Sequence, residues 1–428
     1  MYQLKIKLKQ HTPIIHFETG HDLATLRPSE LKPKLDALLR SKLPEIPETW
    51  QVGNEKRIQR KVPEFALDYK INLIINNADY NKDKSGPISY SFKNNKTQRY
   101  QTEKFPCYFA EMGANNKNDK FFTFYNSIDL IITCKHEKLL EEINKLIPIF
   151  FISTNFGSRQ SKGFGSYYPA NTELFPIPEI RYYFDIDVNG ATKPNLAFNN
   201  TTPSLEYFKL FSLFKAVNLF YNSIRSGINQ PFGKNTFYLK SLLFNYTKDF
   251  YAAKWDKRMI KEKMFFPAFN QHQVKFTRAD PLFYNSHSGY LMRDLLGLAT
   301  TSKWGRDYYD ATISKKHTED IIKRFKSPIT IKPIEISRDK YRIYIILDQK
   351  HQDKILNKEF ILENSRNLIN LTLSTPTHFD LKAYLQFAID QNIALNAELG
   401  NKSMKHPDLN QLIQIFNQLK NNINIVNE

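Results

Sequence analysis

The chain has 428 residues, and its 61 Lys and Arg against 43 Asp and Glu give a formal charge of +18. That length can bury a core in each of two domains, and a 41% hydrophobic share with 33 Phe and 23 Tyr excludes a disordered chain. The longest apolar run, Leu146 to Ile152, is broken by Pro148 and falls far below the roughly 20 residues of a membrane span.

The first residues alternate, with Leu4, Ile6 and Leu8 on one face and Lys5, Lys7 and Lys9 on the other. This reads as a half-buried strand and lacks the continuous apolar stretch of a signal peptide. After Gly20, Ser29 to Leu43 reads as a helix with Leu31, Leu35, Leu38 and Leu39 on one side; Pro33 fits its first turn, and Ser29 or a neighbour caps it. Phe65 to Ile75 alternates as a second strand, and 76–101 is a polar excursion with the look of a hairpin. Phe121 to Cys134 is a third strand region, and Glu137 to Phe150 has helical spacing. The order β-α-β-β-α is the core of a ferredoxin-like or RRM-like unit.

The pattern partly restarts beyond residue 175. Arg181 to Val188 alternates and ends at the Asn189-Gly190 turn signal, and Ser204 to Ile224 is a strongly apolar helix. Residues 230–325 read as mostly helical and irregular. Strands return at Ile329 to Ile336 and Tyr341 to Leu347, and a helix with Leu409, Leu412, Ile413, Phe416 and Leu419 on one face closes the chain. The two cysteines, Cys107 and Cys134, cannot make a disulfide framework, which suits a reducing, cytoplasmic setting. Cys134 near His136 reads as a buried strand cysteine beside a loop histidine rather than a metal site.

The charge points to a polyanion, because Lys and Arg beside phosphates release condensed counterions. No block of five or six like charges exists, so the excess is spread through folded sequence. One stretch is denser: Lys254, Lys257, Arg258, Lys261, Lys263, Lys275 and Arg278 are interleaved with Trp255, Phe265, Phe266, Phe269 and Phe276. Aromatic faces can stack on unpaired bases while cations hold the backbone; a solvated helix face beside core aromatics is the alternative. Phe121-Phe122-Thr123-Phe124 is the nearest approach to an RRM aromatic signature and equally suits a core.

Only 14 glycines occur, yet three fall within nine residues of Gly157-Ser158-Arg159-Gln160-Ser161-Lys162-Gly163-Phe164-Gly165-Ser166, directly after a predicted helix. Glycines let a backbone approach a ligand and leave amides to meet phosphate oxygens, with Arg159 and Lys162 adding charge. The spacing fits neither a Walker loop nor a dinucleotide fingerprint.

At this loop the chain resembles the RAMP superfamily of CRISPR-associated proteins, in which a G-x-R-S-K/R-G-F-G-S loop follows a helix. Thr12-Pro13-Ile14-Ile15 with Leu26-Arg27-Pro28-Ser29-Glu30-Leu31-Lys32 is similar to the family's first strand and helix. Arg293-Asp294-Leu295-Leu296-Gly297-Leu298 resembles a leucine-glycine-leucine stretch of the large members, and Arg324-Phe325-Lys326-Ser327-Pro328-Ile329 their R-x-x-S-P-L/I segment. Order and spacing best match the two-domain subunit of type III-B effector complexes, seated near the 3′ end of the guide RNA. Gly20 is single where many relatives carry a glycine pair, and neither 76–120 nor the last 80 residues match a family motif.

The resemblance implies an α+β fold of two ferredoxin-like (RRM-like) units. The first, 1–175, ends in the glycine-rich loop; the second, 176–428, carries a helical insertion over about 204–325. It implies a non-catalytic, cytoplasmic subunit that binds CRISPR guide RNA and other RAMP subunits in antiviral defence, with no cofactor, metal, membrane or small-molecule substrate. RNA contacts are expected at Gly157, Ser158, Arg159, Ser161, Lys162, Gly163 and Gly165, extended by Arg27 and Lys32 and by Lys254, Lys257 and Arg258. The alternative is an endoribonuclease. His11, His16 and His21 cluster near the first strand and its loop, where His16 and His21 would carry metal-independent processing of repeat RNA, or Asp22, in the loop after the first strand, would support cleavage of target RNA.

Overall fold

A computed structural model of the chain describes residues 1–16, 24–52, 65–93, 98–107, 121–172, 182–194, 196–198, 202–232, 235–251, 253–265, 289–305, 310–366, 369–399 and 406–425. They form two compact units, Met1–Asn218 with Ile331–Ile346, and Leu219–Thr330 with Leu347–Glu428.

In unit 1 the alternating N-terminus forms β1 (Tyr2–Gln10), with Leu8 buried and Lys5 and Lys7 outward. It is followed by α1 (Pro28–Lys42), β2 (Tyr69–Ile74), β3 (Ser127–Cys134), α2 (Glu137–Ser153) and β4 (Tyr167–Pro169). The sheet order is β4-β1-β3-β2, antiparallel throughout, with Ile6 opposite Leu130 and Ile71 opposite Ile132. Leu31, Leu35 and Leu39 of α1 pack with Leu139, Ile143, Ile147 and Phe150 of α2 against the apolar sheet face. α1 begins at Pro28, one residue before the expected Ser29 cap; Arg27 is the N-cap and makes no side-chain cap bond. Pro28 suits the first helical position, because its missing N–H would lack an intrahelical partner there anyway.

The excursion after β2 contains the expected hairpin, Ser89–Lys93 paired with Tyr100–Lys104. Phe122 and Phe124 are buried, so the aromatic tetrapeptide serves mainly as core, with Phe121 half exposed. The units do not divide the chain at residue 175. Tyr182–Asp187 pairs with Lys340–Leu347, which neighbours Ile329–Ser337 in a three-stranded sheet. Ile334 and Tyr344 of that hairpin join the core of unit 1.

Unit 2 holds more strand than the helical reading of 230–325 anticipated. Ile228–Phe232 pairs with Asn235–Leu239, and a four-stranded antiparallel sheet runs Thr301–Lys303, Thr312–His317, Glu359–Asn364, Asn370–Ser374. Thr312–His317 turns Ile313, Lys315 and His317 inward, so an alternation that hydrophobicity would reveal is hidden by two polar residues. Lys315 is compensated by Asp294 at 2.5 Å, both side chains being about 5% exposed or less. Asp294 lies in the Leu-Gly-Leu stretch, where Gly297, at φ 118°, ends a short helical turn against Ser327. Two of the sequence anchors thus meet inside unit 2.

Breaking a buried pair strands a charge, at a cost of about 3–5 kcal/mol. Lys315→Ala is therefore expected to lower the stability of unit 2 by about that much in a urea melt, with much of the loss recovered in Lys315→Met with Asp294→Leu. Equal melts for wild type and Lys315→Ala would contradict a buried ion pair.

Candidate nucleic-acid interface

The glycine-rich loop runs from the end of α2 into β4, and four of its residues take left-handed backbone angles: Gly157 (φ 73°), Arg159 (59°), Gly163 (90°) and Gly165 (67°). At Gly165 a Cβ would collide with the Phe156 carbonyl. The tight path is closed by its own hydrogen bonds. The Gly157 amide donates to both carboxylate oxygens of Glu30 at 3.0 Å, Ser158 to the Ile15 carbonyl, Gly163 to Gln160 and Gly165 to Pro13. The Lys162 amide donates to the Arg159 carbonyl, and the Ser166 amide to the Thr12 hydroxyl. The amides expected to meet phosphate at Gly157, Ser158, Lys162, Gly163 and Gly165 are therefore spent within the protein. The cause is the return of the chain beneath β1, which brings carbonyls and Glu30 to the donors.

The loop cations divide likewise. Lys162 is 7% exposed, turned inward rather than toward a ligand, and Arg159 is half-buried. Lys32, expected to extend the track, pairs with Asp36 at 3.1 Å, donates to the Leu67 carbonyl and lies 4.0 Å over the Tyr69 ring. Lys34, which sequence reasoning missed, joins Glu30 at 2.8 Å to Gln160 at 3.0 Å. Its i,i+4 spacing from Glu30 was the available signal. Arg27 is half-buried at the head of α1.

Beneath the loop lies Lys332, with no exposed surface, donating to the carbonyls of Thr154 at 2.8 Å and Tyr167 at 3.0 Å. Burial holds its pKa well below the usual lysine value, and Lys34 lowers it further. Asn155 donates to the Ile331 carbonyl and Ser166 to that of Pro333. His11, 4% exposed, accepts the Glu335 amide at Nδ1, so Nε2 carries the proton. Burial, then Lys9, Lys332 and Lys84, keep its pKa well below 6.5.

The basic stretch builds a different object in unit 2. A pocket of 470 Å³ is walled by Tyr238 and Lys240 from the 228–239 hairpin and its end, Phe244 from the next helix, and Trp255, Lys257, Arg258 and Lys261. Trp255 meets Phe244 edge-on at 5.6 Å, and the Lys240 ammonium lies 5.4 Å over the Phe244 ring. Lys254 and Arg258 share one carboxylate, Glu262, at 2.7 and 2.5 Å. Asp256 is fully buried against Arg293 at 2.8 Å. Lys257 is exposed on the pocket wall, and its pKa is lowered to about 8 by desolvation among the lining groups, then by Arg293, with Asp256 opposing and Lys261 adding repulsion. Of the expected Lys254, Lys257 and Arg258, the last two line the pocket and Lys254 pairs with Glu262 instead; Tyr238, Lys240 and Phe244, which the hairpin brings near, were not anticipated from the sequence. Phe266, Phe269, Lys275, Phe276 and Arg278 lie outside the described residues.

His16 Nε2 donates to the Thr25 carbonyl at 2.8 Å, and its proposed catalytic neighbours His21 and Asp22 lie outside the described residues. Cys134 is buried, its thiol donating to the Asp68 carbonyl and accepting from the His136 amide. No cluster of three or more His, Cys, Asp or Glu suited to a metal occurs among the described residues, and no helix among them is long and apolar enough to cross a membrane.

A family model for the Cmr1 N-terminal domain matches residues 1–228, and one for the Cmr1 C-terminal domain matches 238–421. The chain belongs to the Cmr1 family. That membership bears out the resemblance to type III-B CRISPR RAMP proteins read from the motifs. Among solved structures, apo Cmr1 from Pyrococcus furiosus is 13% identical with a TM-score of 0.28, over 81% of this chain and 88% of that one. A chain of the type III-B Cmr-β complex bound to cognate target RNA is 14% identical with a TM-score of 0.23, over 40% of this chain and 59% of that one, less than two thirds of its length. Among curated proteins none matches.

Gly165→Ala combines a left-handed φ with a backbone collision, so it is expected to cost about 3 kcal/mol or more in a denaturant melt; a loss below about 0.5 kcal/mol would contradict the loop geometry. His11 gives an acid-side test. Its folded pKa is depressed, so below about pH 6.5 the unfolded chain takes up a proton that the folded chain does not, and stability falls by up to about 1.4 kcal/mol per pH unit. His11→Asn keeps an acceptor for the Glu335 amide and is expected to flatten that limb between pH 6.5 and 5. An unchanged slope would count against a neutral buried imidazole.

Proposed function

We propose that this Cmr1-family chain is a non-catalytic subunit of a type III-B effector complex that holds guide RNA in antiviral defence, beside other RAMP subunits. The observation that carries the reading is the pocket of unit 2, where lysines, an arginine and aromatic rings line one concavity. That combination suits unpaired RNA, whose bases stack on rings while cations meet the phosphates. In unit 1, Arg159, Ser161 and Arg27 are the residues we keep in the RNA track, through their side chains. Gly157, Ser158, Gly163, Gly165, Lys162 and Lys32 we assign to holding the loop and α1, on the strength of their internal bonds and burial.

The order β4-β1-β3-β2 with two helices on one face supports a ferredoxin-like reading of the first unit. The 301–374 sheet of unit 2 follows chain order, which does not support the interleaved ferredoxin-like arrangement there.

Titration of a labelled single-stranded RNA across a salt series tests the function. Affinity is expected to fall with salt and to exceed that for duplex DNA of the same sequence. Lys240→Gln with Lys257→Gln should reduce the log–log salt slope by roughly 0.7 per lost phosphate contact. Lys162→Ala, by contrast, should lower the melting temperature and leave the slope unchanged. Equal affinity for RNA and duplex DNA, or a slope untouched by the pocket variant, would overturn the reading.

A further inference from the structure

We propose that the unit 2 pocket receives one phosphorylated nucleotide, its phosphate held by Lys240, Lys257 and Lys261 and its base laid against the wall of Tyr238, Phe244 and Trp255. The inference rests on the RNA-binding reading and narrows it to a site and a chemical group. Three observations support it. At 470 Å³ the pocket falls within the roughly 300–1,000 Å³ of small-ligand sites, enough for one base with its phosphate. Its lining is selective in charge: among the described residues four cations and no Asp or Glu face it. Two carboxylates on the same stretch as Lys257 are engaged by other cations, Glu262 by Lys254 and Arg258, and Asp256 by Arg293. The third is the aromatic wall, which offers ring surface to a base that has left its stack.

Lys257 adds a signature that separates this site from a diffuse basic surface. Desolvation on the pocket wall, then Arg293 and Lys261, lower its pKa to about 8, with Lys240 and Arg258 on the same lining and Asp256 as the opposing carboxylate. A phosphate placed among these groups favours the charged lysine, so binding above pH 8 takes up a proton and weakens as pH rises. A lysine titrating in its ordinary range, near 10.4, would show no such dependence between pH 7 and 9.

The ligand chemistry could be delivered by a free nucleotide or by the phosphorylated end of an RNA. The test therefore compares a short RNA with a terminal phosphate, the same RNA without it, a nucleoside monophosphate and inorganic phosphate, each titrated at pH 7 and pH 9. At pH 7 the phosphorylated RNA is expected to bind at least about tenfold tighter than its unphosphorylated twin, in line with charge-assisted bonds. The monophosphate should compete for the site and inorganic phosphate should compete more weakly, since it has no base to stack. The end preference should shrink at pH 9. Lys257→Gln should lose both preference and pH dependence with an unchanged melting curve. Lys257→Arg should keep the preference and lose the pH dependence, because arginine stays charged.

Retention of the end preference in Lys257→Gln would overturn the site, as would competition by inorganic phosphate equal to that of the monophosphate. RNA binding with no end preference would overturn the pocket and leave the RNA-binding reading standing. Absence of any RNA binding would overturn both. If the monophosphate matches the phosphorylated RNA, the site is a free-nucleotide receptor; if the RNA binds far tighter, it is an RNA-end receptor.

Discussion

The interaction on which unit 1 depends is the Lys332 side chain, whose Nζ is held without solvent between the Thr154 and Tyr167 carbonyls. An isolated ion of this kind costs several kcal/mol to bury. Two features offset the cost of burying this nitrogen: its pair of hydrogen bonds to carbonyls, and the negative end of the α2 dipole, which terminates at Thr154. Because Thr154 ends a helix and Tyr167 opens a strand, one side-chain nitrogen fixes both ends of the glycine-rich loop. The chain between them has to fold back on itself over a short distance, and its left-handed residues follow from that demand. Asn155 and Ser166 repeat the connection with side-chain bonds to Ile331 and Pro333, so the 331–346 segment belongs to unit 1 although it lies far along the chain.

This changes what the loop can do. A glycine-rich turn with two cations after a helix suggests a phosphate cradle, and a cradle requires amides pointing outward. Here Glu30 occupies the anion position: its carboxylate takes the Gly157 amide, the Gln160 amide nitrogen and the Lys34 ammonium. The protein has supplied its own acid to the nest. Under the proposed reading, phosphate recognition falls to side chains, and the pocket of unit 2 gathers four cations with no Asp or Glu on its described lining.

Much of unit 1 was legible because its strands are solvated on one side. Tyr2–Gln10 and Tyr69–Ile74 alternate cleanly, and the leucines of α1 and α2 fall on one stripe, so periodicity revealed strand and helix alike. The glycine-rich loop was legible as a place, and its motif led to the family. Its bonding was not legible, since nothing local announces that Glu30, over 120 residues upstream, meets the Gly157 amide. The strands of unit 2 failed for a related reason: Thr312–His317 buries Lys315 and His317, and the acid that makes the lysine acceptable is at Asp294. The pocket was half visible. Lys257 and Arg258 lie in a basic run, whereas Tyr238 and Lys240 reach them only through a hairpin whose first strand contains Pro231, a residue that argues against strand in a sequence.

The most direct test of the proposed RNA site is photochemical. Zero-length cross-linking of the protein to a single-stranded RNA containing a thiolated uridine, followed by peptide mass spectrometry, identifies the side chains that touch bases. Adducts are predicted at Tyr238, Phe244 or Trp255, with the 156–166 loop unmodified along its buried glycines and Lys162. Cross-links confined to 156–166, with none in the pocket, would contradict the assignment of the pocket to RNA.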